Sequence, residues 1–470
     1  GHEPAAPRGR DWPLGAMFKY ATPGFVVAAL LCVFLLQVLQ GKLESRLGSR
    51  VPLVLRYFVW MYVLFFMLLF QALRSMFWEV LWVSNWLDPA FVQQSVEAKI
   101  RRETASESAF QDQFERWQKT ACLMHHPWLQ GFSMISPFMV TATFVTCFIH
   151  TATHARNMER CLDKGSDTGA LYHSMVIRIL ALPMVYGLMS FQGVVRMWGV
   201  TVDYVDGSFH DWDHRRRYLK DMYEQALLVG DAYESYALLN FAWLAMRVLI
   251  QHVQAKIDNA EKTLSCSDKS LKILTQSTQN LVTEMRGITL LGVHLFCLTC
   301  ASQAAFQLGT TSAAYFEVLP SFFGSYKVDE SQGVLRVDST ASKIEFFFLG
   351  AGFISSFAAI GNLIEVEQGF HHSELLQFGP FWKFWGTKCL VTIAYLQQMM
   401  VYLPPFSRWP GNMFRLFYAS TLSVECFFIS LLHVFAWNPN EEWFVSDGWS
   451  GDENESDTVS RTESSSDAEE

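Results

Sequence analysis

Long apolar runs separated by short polar ones dominate this chain. A helix needs about 20 mostly apolar residues to cross a bilayer. Nine stretches meet that length: Thr22–Leu39, Leu53–Leu73, Phe132–Thr153, Ser174–Val200, Ala226–Ile250, Gly287–Leu308, Ile344–Val366, Phe384–Leu403 and Met413–Trp437. The expected fold is therefore an all-α polytopic membrane protein. A different segment, MFWEVLWVSNWL from Met76, separates the second and third runs, and its Trp78, Trp82 and Trp86 recur every four residues. On a helix they make one aromatic stripe. That suits either a helix lying in the headgroup region or a bent continuation of the second span.

Composition agrees with the pattern. The 470 residues are 51% hydrophobic and 15% aromatic but only 17% charged, against about 25% for a soluble domain. The net charge of −9 comes largely from the acidic, serine-rich sequence after Trp437, which is too poor in apolar residues to fold alone. Within it Ser464 and Ser466 each have an acid three residues on, the pattern of acid-directed phosphorylation. No basic patch marks a nucleic-acid partner; the lipid bilayer is the expected one. The chain opens on Gly1 rather than Met, which leaves open whether a targeting segment precedes it.

Basic loops orient the threading. Lys42, Arg46 and Arg50, then Arg156, Arg160 and Lys164, then Lys256, Lys262, Lys269 and Lys272 fall on one side if all nine runs cross. That side is cytosolic by the positive-inside tendency. Arg215, Arg216, Arg217 and Lys220 on the other side weaken the bias. The expectation is an outer N-terminus and a cytosolic C-terminal tail.

Polar side chains inside such runs cost free energy and so gather in a bundle interior or a water-filled path. Here they are Arg178, Arg196, Asp231, Glu234, Asn240, His294, Asn362, Glu365, Lys388, Gln397, Gln398 and Glu425. Arg178, His294, Lys388 and Glu365 thread towards the cytosolic half, Arg196, Asp231 and Glu234 towards the outer one, and Glu425 falls near the middle. The alternative for Arg178 is a simple pair with Glu365. Lys383, near a span end, is placed to snorkel to headgroups or to stand at the mouth of a path. Along PFWKFWGTKCLVTIAYLQQM, Lys383 and Gln397 share one helix face and Lys388 and Tyr395 another, so neither face suits lipid.

Chemistry beyond this is sparse. His150 and His154 are four apart, a spacing that can hold a metal; without a third ligand nearby, an interfacial polar pair is expected. Cys297 and Cys300 form a lone CxxC within an apolar run, too few ligands for a metal site. No nucleophile elbow, HExxH pair or phosphate loop appears, so neither an enzyme nor a cofactor is expected.

Several segments in order resemble one family. RILALPMVYGLMSF carries Arg178, Pro183, Tyr186 and Ser190; DAYESYALLNF carries Tyr233, Glu234, Asn240 and Phe241. Pro380, Lys383, Phe384, Lys388, Tyr395 and Gln397 keep a fixed spacing, and Glu425 precedes His433 and Phe435. This set resembles the organic solute transporter alpha-subunit and transmembrane-protein-184 superfamily, over about residues 132–437. Departures include Leu396 where the family has Trp and His173 where it has Gln. The resemblance divides the chain into an N-terminal tail (1–20), two extra N-terminal transmembrane helices (21–75), a Trp-rich interfacial segment and charged loop (76–131), a seven-helix transmembrane bundle (132–437) and a disordered acidic tail (438–470). It implies facilitated, ATP-independent movement of organic solutes, with amphipathic anionic or steroid- and lipid-like solutes as the class. A small single-span partner subunit or a homo-oligomer would accompany it. Arg178, Tyr186, Glu234, Asn240, His294, Lys383, Lys388, Tyr395, Gln397 and Glu425 become candidates for the solute path. Cys161 and Cys266 remain as inner-loop thiols open to palmitoylation. The competing reading is a receptor or trafficking scaffold whose acidic tail is the working end.

Overall fold

The structure is a computed structural model, and it describes residues 51–76, parts of 93–106, 107–120, 127–206, 209–263, 290–316, 327–329, 334–336, 339–369, 379–400 and most of 403–444. The first expected span, Thr22–Leu39, and the tryptophan stripe lie outside these residues. The other eight expected spans all fall on helices: α1 (Val51–Met76), α4 (Ser136–Asp163), α5 with α6 (Asp167–Leu180 and Leu182–Asp206), α7 (Phe209–Thr263), α8 (Leu291–Phe316), α9 (Ser339–Gly369), α10 (Pro380–Met400) and α11 (Gly411–Ala436). Two shorter helices, α2 (Glu107–Thr120) and α3 (Pro127–Ser133), precede α4. A small antiparallel ribbon, Lys327–Asp329 on Val334–Arg336, stands between α8 and α9.

Local chemistry sets the boundaries. Gly165 at φ 77° ends α4 in the left-handed region that a side chain would resist. Ser166 then caps α5 by accepting the Gly169 amide. The expected span Ser174–Val200 is broken rather than straight: α5 stops at Leu180, Ala181 is a turn, and α6 begins at Leu182. Pro183 supplies the reason, since it lacks the amide that would bond back one turn into α5.

α6 is the axis. It packs on α1, α4, α5, α7 and α11, and 94% of the apolar window spanning α5 and α6 is buried. One core cluster joins α1, α4, α6 and α11 through Phe65, Val140, Phe191 and Leu422; a second joins α5, α7, α8 and α10 through Ile179, Phe241, Val293 and Phe384. The exterior is also apolar: Phe138 is 74% exposed, with Phe70, Ile149, Leu298, Ile354 and Phe435 outward on their own helices. Water rarely meets so broad an apolar face on a monomer.

Among the described residues, Trp128–Asp163, Asp167–Gly199 and Gly411–Ala436 are long and apolar enough to cross a membrane. The described residues are helical apart from the ribbon and the turns between elements, and the apolar helices are compatible with an integral membrane protein.

Candidate functional site

Polar side chains meet in two places between the helices. The first is midway along the bundle. The Tyr186 hydroxyl on α6 donates to the Asp231 carboxylate on α7. Gly230 makes room for it, because a Cβ there would lie 3.2 Å from the Tyr186 ring. One turn along α7, Glu234 is buried at 2% exposure and its Oε1 has no hydrogen-bond partner. Lys388 on α10, also buried, lies within electrostatic reach of Glu234 and sits 5.9 Å from the Phe384 ring. Two turns beyond Glu234, Asn240 accepts from Arg178 of α5 at 3.5 Å, while Tyr233 donates to the Arg178 carbonyl at 2.9 Å. On the other side of α10, Gln397 donates to Glu425 of α11.

These contacts sort the expected site residues. Tyr186, Glu234, Asn240, Arg178 and Lys388 converge on α7, and Gln397 and Glu425 form a second link between α10 and α11. Arg178 does not pair with Glu365, which is exposed on α9; its guanidinium turns to Asn240 and Ser174. His294 does not join them. It stands on the exposed face of α8, with Nδ1 2.7 Å from the Leu290 carbonyl and its ring 5.9 Å from that of Trp243. The reason is register: the buried face of α8 runs through Val293, Phe296 and Cys300, a set that excludes residue 294. Tyr395 belongs to α10, but its side chain lies outside the described residues, as do Cys266, Ser464 and Ser466. Cys161 is buried against the core and near Gly169, so its thiol faces protein rather than the membrane surface.

The second meeting place is at one end of the bundle, and sequence reasoning missed most of it. Lys383 does not snorkel. It is only 2% exposed, and its ammonium donates to both carboxylate oxygens of Glu441 at 2.8 and 3.1 Å. The rings of Trp437 and Trp443 lie 5.4 and 5.8 Å from that nitrogen. Glu441 belongs to a strap, Trp437–Phe444, that leaves α11 and folds back over the ends of α4, α5 and α10. The folded region therefore runs past residue 437, where the acidic tail was expected to start. Phe444 stacks on His173 with ring centroids 4.1 Å apart, Trp443 stacks on Phe444, and Asn157 donates to the Pro439 carbonyl at 2.8 Å.

Beneath the strap lie the histidines. His150 and His154 of α4 both point Nε2 at the Trp437 carbonyl, at 2.8 and 3.0 Å. His173 of α5 supplies the third imidazole that local spacing did not reveal, with Nδ1 3.0 Å from His154 Nδ1. His433 of α11 bonds the Gly386 carbonyl at 2.8 Å. A carbonyl oxygen fills the point where a metal shared by His150 and His154 would sit, and no metal-holding group of three or more ligands is found among the described residues. The legible signal for the strap was Trp443 and Phe444 in NPNEEWF, two large apolar side chains in an otherwise polar tail.

No family model, curated protein or solved structure matches this chain.

Proposed function

We propose that this chain is a multi-pass membrane protein of the organic solute transporter alpha type, carrying amphipathic organic anions down their gradient without ATP. The observation that carries the reading is the run of polar links through an apolar bundle: Arg178–Asn240, Tyr186–Asp231, Glu234 near Lys388, and Gln397–Glu425. Each draws a polar group out of lipid, and together they touch five helices, α5, α6, α7, α10 and α11. Polar residues held at membrane depth mark solute routes more often than they stabilise a fold.

In this reading Lys388 and Arg178 are the counter-charges for the solute, and Glu234 is the carboxylate that holds Lys388 between passages. Exchange of one carboxylate for another on a buried ammonium keeps its charge compensated throughout, which avoids the cost of a bare buried cation. The apolar body of the solute would rest on Phe384 and neighbouring core side chains. The seven-span core, the two additional N-terminal helices and the cytosolic tail belong to the same proposal, as does a small single-span partner subunit or homo-oligomer.

A second reading draws on the strap. It fastens Pro439 and Glu441, at the start of the acidic C-terminal sequence, to the helix ends, an anchor that would suit a receptor or trafficking scaffold. Uptake of a radiolabelled conjugated steroid anion into proteoliposomes separates the two. Saturable, ATP-independent uptake that falls in Lys388→Met supports transport. Uptake no greater than in protein-free liposomes, with the protein folded, sides with the scaffold.

A further inference from the structure

We propose that the strap Trp437–Phe444 is a proton-released latch, held shut over the end of the bundle by the histidine cluster and opened when that cluster takes up protons. The argument is one of donors and acceptors, and it does not rest on the transport reading.

A backbone carbonyl can only accept. Both His150 and His154 reach the Trp437 carbonyl through Nε2, so both Nε2 atoms carry hydrogen. That carbonyl is among the last of α11, the groups a helix leaves without intrahelical partners, and two imidazoles complete it. The remaining nitrogen of His154 faces Nδ1 of His173 at 3.0 Å. A contact between two ring nitrogens needs a bare nitrogen on one side and a hydrogen on the other. The pair therefore cannot be doubly protonated while the strap is shut, because two N–H groups would then face each other.

The surroundings oppose even one added proton. His154 is fully buried, and His150 of α4, His173 of α5 and Lys383 of α10 are the groups acting on it. His433 of α11 is the further neighbour of His150. Tyr172 of α5 lies alongside, against Trp443. The groups acting on His154 are all bases, the Tyr172 phenol stays neutral from neutral to acidic pH, and the one carboxylate named here, Glu441, is already committed to Lys383. Each proton added under the strap therefore accumulates positive charge in a site closed to water. With the strap open, the imidazoles meet solvent and charge freely.

The sign follows directly. The open form binds more protons than the closed one, so closure is favoured at higher pH and weakens as pH falls. Imidazoles change charge between about pH 8 and about pH 5, and each proton taken up only by the open form shifts the equilibrium about tenfold per pH unit within its titration range. Opening would separate Glu441 from Lys383 and leave a lysine at the bundle end facing solvent. It would also free His173 from Phe444, Tyr172 from Trp443 and Asn157 from Pro439, further points where the strap is fastened.

The test is hydrogen exchange on the full chain in nanodiscs, read at residues 437–444 between about pH 8 and about pH 5 and corrected for intrinsic rates. The expected result is strong protection of the strap at the upper end, lost by tenfold or more on acidification (about one decade per proton per unit), with α6 protected throughout. His154→Gln is the decisive variant. Its amide can donate to the Trp437 carbonyl and accept from His173 as the imidazole does, yet it cannot gain a proton. It should keep the strap protected at low pH. Should His154→Gln fail to fold, His173→Gln, which can still donate to His154, takes its place with the same expectation. Wild-type protection independent of pH overturns the proposal. So does opening of the variant at the wild-type midpoint, and so does simultaneous loss of α6 protection, which would mean global unfolding.

Discussion

Replacing Glu441 by Gln should loosen the strap about a hundredfold at neutral pH, where the histidines keep it shut. The pair it breaks is close, with Lys383 Nζ 2.8 and 3.1 Å from the two carboxylate oxygens. It is also asymmetric: the lysine side chain is 2% exposed and the glutamate 20%. Removing one partner of a buried pair costs roughly 3–5 kcal/mol, because the other charge is left uncompensated. The partial exposure of Glu441, and the one hydrogen bond a glutamine can still accept, place the loss at the lower end. About 3 kcal/mol corresponds to roughly two powers of ten in an equilibrium. Chymotrypsin reads this, since its preferred sites, Trp443 and Phe444, are buried when the strap is shut. When opening and closing are fast, cleavage tracks the open population, so nicking after Trp443 or Phe444 should accelerate by about that factor. Lys383→Met combined with Glu441→Met should return the rate to within about tenfold of wild type, as apolar replacement of a whole buried pair is commonly near neutral. An unchanged nicking rate in Glu441→Gln refutes the reasoning. A double variant as fast as the single one would show that shape, not charge, fastens the strap.

Other outcomes follow from the mid-bundle contacts. Tyr186→Phe strips Asp231 of its hydroxyl donor and should cost about 1–3 kcal/mol, seen as a lower unfolding temperature in detergent. Gly230→Ala should cost a similar 1–3 kcal/mol by pressing a methyl group onto the Tyr186 ring, and Tyr186→Leu should relieve it. Lys388→Met paired with Glu234→Gln should express and unfold like wild type while solute flux is lost; retained flux would remove Lys388 from the path. A glycosylation acceptor placed after Asp447 should stay unmodified if the tail is cytosolic, and modification there would reverse the threading.

Much of the helix layout was legible because it depends on local pattern. Apolar runs long enough to span a bilayer gave helices wherever the structure describes them, since each run satisfies its own backbone hydrogen bonds. The inward placement of α10 was legible as well: Lys383, Thr387 and Lys388 are buried while Phe381, Trp382 and Trp385 face outward. The sequence stripe of two polar faces at its first turns already excluded lipid there. His294 was misplaced for the opposite reason. Depth within a run can be counted from its ends, but the face of α8 that turns inward is decided by neighbours, and a run apolar nearly all round carries no stripe to declare it.

The histidine cluster and the strap escaped for a reason particular to membrane-type bundles. In a water-soluble fold, a polar residue on an apolar face announces a local conflict. Here several such residues are resolved by partners more than a hundred positions away: His150 by Trp437, Asn157 by Pro439. Reading His150 and His154 as an interfacial pair was sound from spacing alone, because the third imidazole sits on the next helix and the acceptor on the last. Antiparallel threading is what unites them. The C-terminal part of α4, the N-terminal parts of α5 and α10, and the C-terminal end of α11 all reach the strap end of the bundle, the same end as the basic residues Arg156, Arg160 and Lys164. The structure places those three on the last turns and C-cap of α4 and not in a loop. The structure ends α11 just before Asn438 and Pro439, yet Trp443 and Phe444 had to be buried somewhere, and the groove that receives them exists only once these helices are side by side. A stop signal ends a helix; whether the chain then departs or folds back is decided by the large apolar side chains that follow it.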